Sequence, residues 1–381
     1  MSPERILVVN AGSSSLKLRV LGRDDAIVAS ADLPAPRGSA DAPAVAEAVA
    51  GFGGVDAVGH RIVHGGTAFL GPVLLDERVT ARIAALTSLA PLHQPKALAA
   101  LAAVTTALPG VPSVACFDTA FHASLPAAAS TYALPAQWRR RWDLRRYGFH
   151  GLSHAYATRR AGELLGTPPA DLRLVTCHLG AGASLAAVRD GHSVDTTMGF
   201  TPLEGLVMAT RSGSVDPGLV LWLAEQVGMP PAELAATLEH RSGLLGLAGT
   251  ADMREILAGA DAGREEAVLA LGVYLHRLRA SIASMTASLG GLDAIVFTGG
   301  VGERSARIRA MTADGLGYLG IALDPARNEG VVGAAGETGA GGEIAPADRE
   351  IGAAGAIVRA LVIASREDIQ IAGEVRSVLG A

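Results

Sequence analysis

The sequence predicts an α/β protein built from two related halves, because one strand–turn–strand pattern occurs twice. Residues 5–20, RILVVNAGSSSLKLRV, align without a gap with residues 173–188, RLVTCHLGAGASLAAV. Both segments have the pattern of a buried strand, a glycine-containing turn and a second strand. A further pair, residues 53–61 and 290–298, repeats in the same order, which favours an old duplication over chance similarity.

Helical patterns alternate with these strands, which is typical of an α/β architecture in each half. The predicted helices cover residues 78–106, 153–165, 218–227, 231–240 and 262–289. The chain of 381 residues exceeds the length that one hydrophobic core usually serves, so we expect two domains. Residues 324–355 are rich in glycine, alanine and glutamate without periodicity and predict surface loops on the second domain.

The composition favours an enzyme that acts on small molecules. With a formal net charge of −5 and no basic run, the chain lacks the electrostatic pattern of a nucleic-acid-binding protein. No apolar stretch approaches the length of a membrane span, and the N-terminal apolar run is too short for a signal peptide. Cys116 and Cys177 lie in apolar runs without metal-ligand spacing, so we expect buried thiols in a reducing compartment, the cytoplasm.

The first glycine turn points to a phosphate ligand. It places five small residues, 11–15, before Lys17, which is one of two lysines among 32 basic residues. Backbone N–H groups in such turns can form an anion-binding concavity, which small side chains leave accessible. A tight hairpin in which glycine only supplies a positive φ is the alternative. Because the second half carries a corresponding turn, we expect a phosphate chain to bind between the two turns.

Longer motifs turn these observations into a family resemblance. Ten of them occur in one order along the chain: NAGSSSLK (10–17), GHRIVHGG (59–66), PLHQP (91–95), FDTAFH (117–122), RRYGFHG (145–151), HLGAG (178–182), MGFTPLEG (198–205), TRSGSVDPG (210–218), DMR (252–254) and TGGVGE (298–303). Together they resemble the acetate kinase family over nearly the whole chain. The resemblance implies two duplicated ribonuclease-H-like domains of the actin-like ATPase type, with an active-site cleft between them. We expect an N-terminal domain of residues 1–122 plus 369–381, and a C-terminal domain of residues 123–368 with most of the nucleotide site.

The resemblance also implies a reaction, namely reversible phosphoryl transfer between ATP and acetate by in-line attack of the carboxylate, which gives ADP and acetyl phosphate. It further implies a requirement for Mg²⁺, with Mn²⁺ as a substitute, and a homodimer. A kinase for propionate or another short-chain carboxylate is the alternative, since one methylene changes binding by only about 1–3 kcal/mol. An actin- or Hsp70-like binding protein would share the phosphate loops but would not need Arg61, Asp118 and Arg211 together.

Four residues match the catalytic positions of the family. Arg61 matches the carboxylate-binding arginine, whose guanidinium fork can bind a carboxylate through two hydrogen bonds. Arg211 and His150 match the groups that neutralise and donate to the transferring phosphoryl group. Asp118 matches the position described as a general base, but acetate is already ionised at neutral pH and has no proton to give up. We therefore expect Asp118 to orient Arg61, Arg211 or a metal-bound water, with a helix-capping role as the alternative.

The resemblance assigns the remaining site residues as well. The acyl pocket is expected to consist of Val63, Leu92, Phe149 and Pro202. Asn10 and Glu367 match the Mg²⁺ ligands, with Asp368 as an alternative to Glu367, and Mg²⁺ needs few protein oxygens because it keeps several waters. The nucleotide site is expected to consist of Lys17, His178, Leu179, Gly180, Ala181, Gly182, Asp252, Met253, Arg254, Gly300, Val301, Gly302, Glu303 and Arg304. Ala181 and Arg304 stand where the family usually has asparagine. The five motif histidines expected to be structural are His60, His64, His93, His122 and His154.

Overall fold

The computed structural model describes residues 3–12, 15–34, 41–91, 93–333 and 348–380. Within this part, the strands are β1 Ile6–Ala11, β2 Ser15–Leu21, β3 Ile27–Pro34, β4 Ala57–Ile62, β5 Val73–Leu74, β6 Ser113–Phe117, β7 Arg173–Leu179, β8 Ala183–Arg189, β9 His192–Thr196, β10 Ala294–Thr298, β11 Arg349–Glu350 and β12 Arg359–Val362. The helices are α1 Ala42–Gly51, α2 Glu77–Ala84, α3 Gln94–Ala107, α4 Ala127–Ser130, α5 Ala136–Trp142, α6 Gly151–Leu165, α7 Pro217–Glu225, α8 Pro231–His240, α9 Gly243–Ala248, α10 Met253–Asp261, α11 Glu265–Leu289, α12 Gly299–Arg304, α13 Ala306–Asp314, α14 Pro325–Gly333 and α15 Glu367–Gly380.

The helix predictions agree with the structure except in one place. Residues 78–106, predicted as a single helix, form α2 and α3 with a break at residues 85–93. Pro91 explains the break, because proline disfavours helical geometry in the residue before it. The predicted loop region 324–355 contains α14 and β11, and its residues 334–347 lie outside the described part. No helix in the described ranges is both long and apolar enough to span a membrane.

The chain divides into two compact units, each with its own six-stranded sheet. The first unit comprises residues 1–123, 149–156 and 366–381, and the second comprises residues 124–148 and 157–365. These limits differ from the boundaries predicted from the sequence, which placed residues 123, 149–156 and 366–368 in the second domain. Leu152 explains part of the difference, because it is buried in one hydrophobic cluster with residues of β1, β6 and α15. Strand and helix patterns do not reveal which core a short segment joins.

The two sheets have the same topology over all six strands. The first has the order β3-β2-β1-β4-β6-β5, and the second has the order β11-β12-β10-β7-β8-β9. In each, an antiparallel ladder of three consecutive strands continues through its first strand into two parallel strands. The predicted duplication is therefore present in the sheets as well as in the sequence.

The first sheet is covered on both faces. One face packs against α15 through Ile6 and Val8 of β1, Cys116 of β6, and Ile371 and Val375 of α15. The helix lies so close to β4 that a Cβ atom on Gly59 would be 2.4 Å from a methyl group of Ile371. The opposite face packs against α1 and α3. This arrangement places the first turn of α15 beside the carboxyl ends of the parallel strands.

The second sheet is backed by the 25-residue helix α11. Its buried residues recur at helical spacing, as in Tyr274, Leu278, Ile282, Met285 and Leu289, so that one stripe of the helix faces β7, β8 and β9. Tyr274 near the N-terminal part of this stripe also lines a large cavity. Helix α11 thus helps to form this cavity, although Tyr274 is distant in sequence from every glycine motif.

Candidate active site

Three polar residues lie at the carboxyl ends of adjacent parallel strands in the first unit. Asn10 belongs to β1, Arg61 to β4, and Asp118 follows β6 directly. Side chains alternate between the two faces of a strand, so residues two positions apart lie on the same face. Arg61 follows Gly59 and Asp118 follows Cys116 by two positions, and both therefore lie on the face that α15 covers. Glu367 begins α15 on that face. Carboxyl ends of parallel strands are where α/β proteins place their ligands.

The side chains of these four residues form one set of polar contacts, in which Arg61, Asn10 and Glu367 close a cycle and Asp118 joins it through Arg61; we call the four residues the ring. Arg61 Nη2 donates to Asp118 Oδ2 at 2.6 Å, and Arg61 Nε lies 3.1 and 3.2 Å from the two carboxylate oxygens. Arg61 Nη1 donates to Asn10 Oδ1 at 3.0 Å and lies 3.6 Å from Glu367 Oε2. Asn10 Nδ2 donates to Glu367 Oε2 at 3.0 Å, which closes the cycle.

The ring carries two carboxylates and one guanidinium, so its formal charge is negative. Burial raises the pKa of Asp118, of which 1% of the side chain is exposed, and the adjacent guanidinium opposes this effect. Burial would lower the pKa of Arg61, but the charges of Asp118 and Glu367 outweigh it and the net shift is upward. The contact geometry is that of an ion pair, with Arg61 held as a cation. Oxygen donors with net negative charge match the preference of Mg²⁺.

Of the two acidic residues in the first turn of α15, only Glu367 joins the ring. Asp368 instead accepts hydrogen bonds from the Arg366 guanidinium, with its Oδ2 2.8 Å from Arg366 Nη2. Its carboxylate charge is therefore balanced locally. This contact favours Glu367 over Asp368 as the metal ligand.

The segment with Phe149 and His150 is fixed to the end of β6 through the backbone. Gly151 N donates to the carbonyl of Asp118 at 2.8 Å, and the carbonyl of Phe149 lies 3.1 Å from His122 Nε2. A Cβ atom at position 151 would approach the Asp118 carbonyl to 2.2 Å, so only glycine fits. His150 adopts a positive φ of 56°, which is unusual for a residue with a side chain. The backbones at Asp118 and at His150 are consequently held next to each other.

The predicted acyl pocket is only partly described. Val63 and Phe149 are buried residues of the first unit. Phe149 makes an edge contact with the ring of His64, with 5.4 Å between the ring centres. Pro202 belongs to the second unit, and Leu92 lies outside the described residues.

Arg211 lies in a glycine-containing loop of the second unit. Its Nη1 donates to the carbonyl of Pro202 at 3.2 Å, and its Nε lies 3.9 Å from Glu239 Oε1. Burial lowers the pKa of Arg211, and Glu239 partly opposes this. Gly243 closes the loop from behind, because a Cβ there would be 2.3 Å from the carbonyl of Met208. The arginine is thus held by a backbone carbonyl and a distant carboxylate.

A cavity of about 1010 Å³ lies within the second unit. Eight of the predicted nucleotide residues line it, namely Gly180, Ala181, Asp252, Met253, Arg254, Gly300, Val301 and Arg304. The sequence did not indicate the other eight, which are Ala209, Leu244, Ala251, Leu257, Tyr274, Ser305, Ala306 and Arg307. Several of these are apolar helix residues whose only sequence signal was a core pattern. A cavity of this size is large enough for a nucleotide.

The remaining predicted nucleotide residues do not line this cavity. Lys17 is an exposed residue of β2 in the first unit. His178, Leu179, Gly182 and Gly302 flank the lining residues in sequence. The carboxylate of Glu303 is engaged by the backbone, because its Oε1 accepts the N–H of Ser365 at 2.8 Å. Burial raises the pKa of Glu303, and this hydrogen bond opposes the shift.

Comparisons with known proteins agree with these features. The model of the acetokinase family matches residues 46–372. An acetate kinase of Gloeobacter violaceus is 49% identical over 322 residues, which cover 84% of this chain and 76% of the relative. The crystal structure of Porphyromonas gingivalis acetate kinase has a TM-score of 0.87 at 34% identity, covering 99% of this chain and 100% of that chain. A propionate kinase from Francisella tularensis has a TM-score of 0.88 at 33% identity, covering 97% and 98%.

The fold and its similarity to the two solved kinase structures define the class of this protein. It is a kinase with two duplicated α/β domains of the actin-like ATPase type. The family match then narrows this class, and the chain belongs to the acetokinase family. The fold and the family inferred from the ten motifs are both confirmed. The individual roles of the site residues remain predictions.

Buried histidines in the first unit make its stability sensitive to acid. His60 in β4 is 1% exposed, and neither ring nitrogen has a hydrogen-bond partner among the described residues. Burial lowers the pKa of His60 and of His122 to about 4. The unfolded chain therefore binds more protons than the folded chain between about pH 6.5 and pH 4. Folding stability must fall as the pH falls through that window.

We predict that His60→Leu reduces this acid sensitivity. From pH 6.5 to pH 4.5, one such histidine accounts for a loss of about 2 kcal/mol in the free energy of unfolding. Urea unfolding at the two pH values measures the loss, which should be smaller in His60→Leu than in the unsubstituted chain. The exposed His192 provides the control, since His192→Leu should lose as much stability as the unsubstituted chain. An equal loss in all three proteins would contradict the assignment.

Proposed function

We propose that this chain transfers the γ-phosphoryl group of ATP to the carboxylate of acetate, giving ADP and acetyl phosphate, and that it also catalyses the reverse reaction. The observation that carries the proposal is the ring of Asn10, Arg61, Asp118 and Glu367, which presents a fixed cation beside candidate metal ligands. Phosphoryl transfer depends mainly on positioning and charge neutralisation. The ring offers both.

Arg61 is suited to binding the substrate carboxylate because its orientation is already set. Asp118 occupies the side of the guanidinium formed by Nε and Nη2, and Asn10 accepts from Nη1. The end formed by Nη1 and Nη2 still has one N–H on each nitrogen beyond these bonds. A carboxylate can accept both in the paired geometry that arginine favours. Binding then costs little reorganisation of the side chain.

Asp118 acts in this proposal as a positioning residue for Arg61. Its carboxylate oxygens are engaged by the guanidinium, and the acetate nucleophile is ionised at neutral pH and needs no base. His150 and Arg211 would supply donors to the transferring phosphoryl group. Both assignments rest on the matching positions of the family motifs. The backbone link between Gly151 and Asp118 supports a common role for Asp118 and His150.

Asn10 and Glu367 are the residues that would hold the divalent cation. Their oxygens belong to the hard donor type that Mg²⁺ prefers, and Mn²⁺ accepts the same donors. A bound cation would supply charge neutralisation to the phosphates. The contact between Asp368 and Arg366 leaves Glu367 as the acidic ligand from α15.

The nucleotide is proposed to bind in the cavity of the second unit. Gly300 lines it with small residues around it, so backbone N–H groups can approach phosphate oxygens. Tyr274 and Leu257 supply apolar surface for a base. Arg304 brings positive charge to the same cavity, which suits a polyphosphate chain, whereas the charge of Arg254 is balanced by an ion pair with Asp252.

Propionate is the competing substrate, since one structural relative is described as a propionate kinase. Steady-state kinetics with acetate, propionate and butyrate decide between them, with acyl phosphate trapped as the hydroxamate. We expect the highest kcat/KM with acetate and a value for propionate lower by roughly tenfold, as one extra methylene allows. A higher kcat/KM with propionate would establish the alternative. Absence of ATP-dependent acyl phosphate formation with all three acids would refute the proposed function.

We predict that Asp118→Asn lowers kcat by roughly 100-fold or more, because the orientation and charge of the ring are both disturbed. The amide oxygen can still accept from Arg61, so the KM for acetate should change much less. The Mg²⁺ concentration for half-maximal activity should rise. A magnesium titration at several pH values measures these effects.

Asp25→Asn is the matched control for this variant. It removes another ion pair of the first unit, in which Asp25 Oδ1 lies 2.6 Å from Arg376 Nη1. Its kinetic constants should remain near those of the unsubstituted chain. If Asp118→Asn keeps the normal Mg²⁺ requirement and loses activity only at pH values at which acetate is protonated, Asp118 is a general base instead.

A homodimer in the cytoplasm completes the proposal. The free, buried thiols of Cys116 and Cys177 support a reducing compartment. Helix α7 supports self-association, because none of its residues is buried although Leu219, Leu221 and Trp222 are about half exposed. An apolar helix face of this kind is typical of an interface.

We predict that the chain sediments at twice its mass of 38.7 kDa and that Trp222→Glu shifts it toward the monomer. A charge at this position would be buried without a partner in the dimer. Analytical ultracentrifugation measures the mass. Ile357→Glu is the control, because Ile357 is isolated in sequence from α7 and 83% exposed. A Trp222→Glu protein that stays dimeric would exclude α7 from the interface.

A further inference from the structure

Arg309 of α13 has an environment that is rare for an arginine. Its exposed fraction is 0%, and no other fully buried side chain in the described part of the second unit is larger. Arginine is almost never buried to this extent without a carboxylate partner. The residue was not singled out by any sequence motif.

The guanidinium joins two short segments through four hydrogen bonds. Nη1 donates to the carbonyls of Gly302 and Glu303 at 2.8 and 2.7 Å. Nε donates to Asn328 Oδ1 at 2.7 Å, and Nη2 donates to the Asn328 carbonyl at 2.8 Å. Asn328 in turn donates through Nδ2 to the carbonyl of Ala306 at 2.8 Å. The last turn of α12 is thereby hydrogen-bonded through Arg309 to α14, and we call these four hydrogen bonds the clasp.

The clasp satisfies carbonyl groups that the chain direction leaves without helical partners. Helix α12 ends at Arg304 and α13 begins at Ala306, so the carbonyls of Gly302 and Glu303 cannot continue a helical ladder. A planar fork with five N–H groups can reach both carbonyls and Asn328 together, whereas a lysine ammonium cannot. The geometry therefore requires arginine in particular.

All four acceptors are neutral, so the charge is solvated only by dipoles. Burial lowers the pKa of Arg309 to about 10, which still leaves it protonated at neutral pH. Burying this charge costs free energy, but an apolar side chain at position 309 would leave the carbonyls of Gly302 and Glu303 without the hydrogen bonds that Arg309 gives them. The four hydrogen bonds therefore hold the end of α12 in place.

The clasped turn is part of the wall of the 1010 Å³ cavity. Gly300, Val301 and Arg304 of α12 all line it. At its start the turn is pressed against the end of β7, where a Cβ on Gly299 would lie 2.8 Å from the carbonyl of Leu179. At its end the Glu303 and Arg309 contacts restrain it.

We propose that Arg309 is a positioning residue for nucleotide binding, which holds the α12 turn in the conformation that receives the nucleotide. The residue does not reach the ligand and acts through the backbone of Gly302 and Glu303. The inference rests on the proposed function, because it takes the cavity to be the nucleotide site.

The test compares Arg309→Met and Arg309→Lys with the control Arg279→Met. Arg279 is a suitable match because its Nη2 donates to the carbonyl of Met311, and Met311 lies in α13, the helix that contains Arg309. Arg279 lines a different cavity. We expect both Arg309 variants to raise the KM for ATP by roughly tenfold, with the KM for acetate nearly unchanged. Arg279→Met should lower the melting temperature without altering either KM.

Lysine keeps the charge at position 309 but not the fork, so equal effects in the two variants assign the role to geometry. Arg309→Lys also decides the matter if Arg309→Met does not fold. A KM for ATP within twofold of the unsubstituted value, or a proportional rise in both KM values, would overturn the inference. The unsubstituted chain separates the two proposals, because failure of the proposed function appears as no acetyl phosphate formation in that protein. Stabilisation of the unsubstituted chain by ADP on heating, reduced in both Arg309 variants, would support the positioning role independently of turnover.

Discussion

The buried pair of Arg61 and Asp118 is the interaction on which the arrangement of the first unit depends. A carboxylate that is 1% exposed is tolerable only when a cation and hydrogen bonds compensate for the lost water. The requirement places β4 and β6 side by side, with their carboxyl ends level, and it brings α15 close enough for Glu367 to approach the same guanidinium. Removing either partner would leave an isolated buried charge. Stability and chemistry therefore constrain the same atoms.

The duplicated sheets use equivalent edges for different purposes. In the first unit the strand ends carry the polar side chains of Asn10, Arg61 and Asp118, which orient one another through hydrogen bonds. In the second unit the corresponding region presents glycines, and the cavity wall is largely backbone and small side chains. An ancestral half with one sheet could supply both surfaces, because the topology fixes where the edge lies and leaves the residue types free. Under the proposed function, the first unit binds the carboxylate of acetate and the second unit binds the nucleotide.

Much of this could be read from the sequence, and the failures have physical causes. The motifs located Asn10, Arg61 and Asp118 because chemistry limits the residue types there. The gapless alignment of the two segments matches Leu7 to Val175. In the structure, however, Val20 pairs with Leu7, whereas Val188 pairs with Leu174. The pairing of the two hairpins therefore differs by one residue, because turn geometry sets the register. The lining roles of Leu257 and Tyr274 depend on packing between distant segments. The buried position of Arg309 was equally invisible, since nothing local distinguishes it from a surface arginine.

The two backbone contacts around Phe149 limit how substrate scope can change. The carbonyl of Phe149 and the N–H of Gly151 are both attached to the segment that follows β6, one at His122 and the other at Asp118. The backbone beneath the aromatic ring cannot retreat without also displacing the carboxylate that holds Arg61. Room for a longer acyl chain would have to come from smaller side chains, such as those at positions 63 and 149. In the proposed acyl pocket, the part formed by Phe149 can therefore gain room only through a smaller side chain at that position.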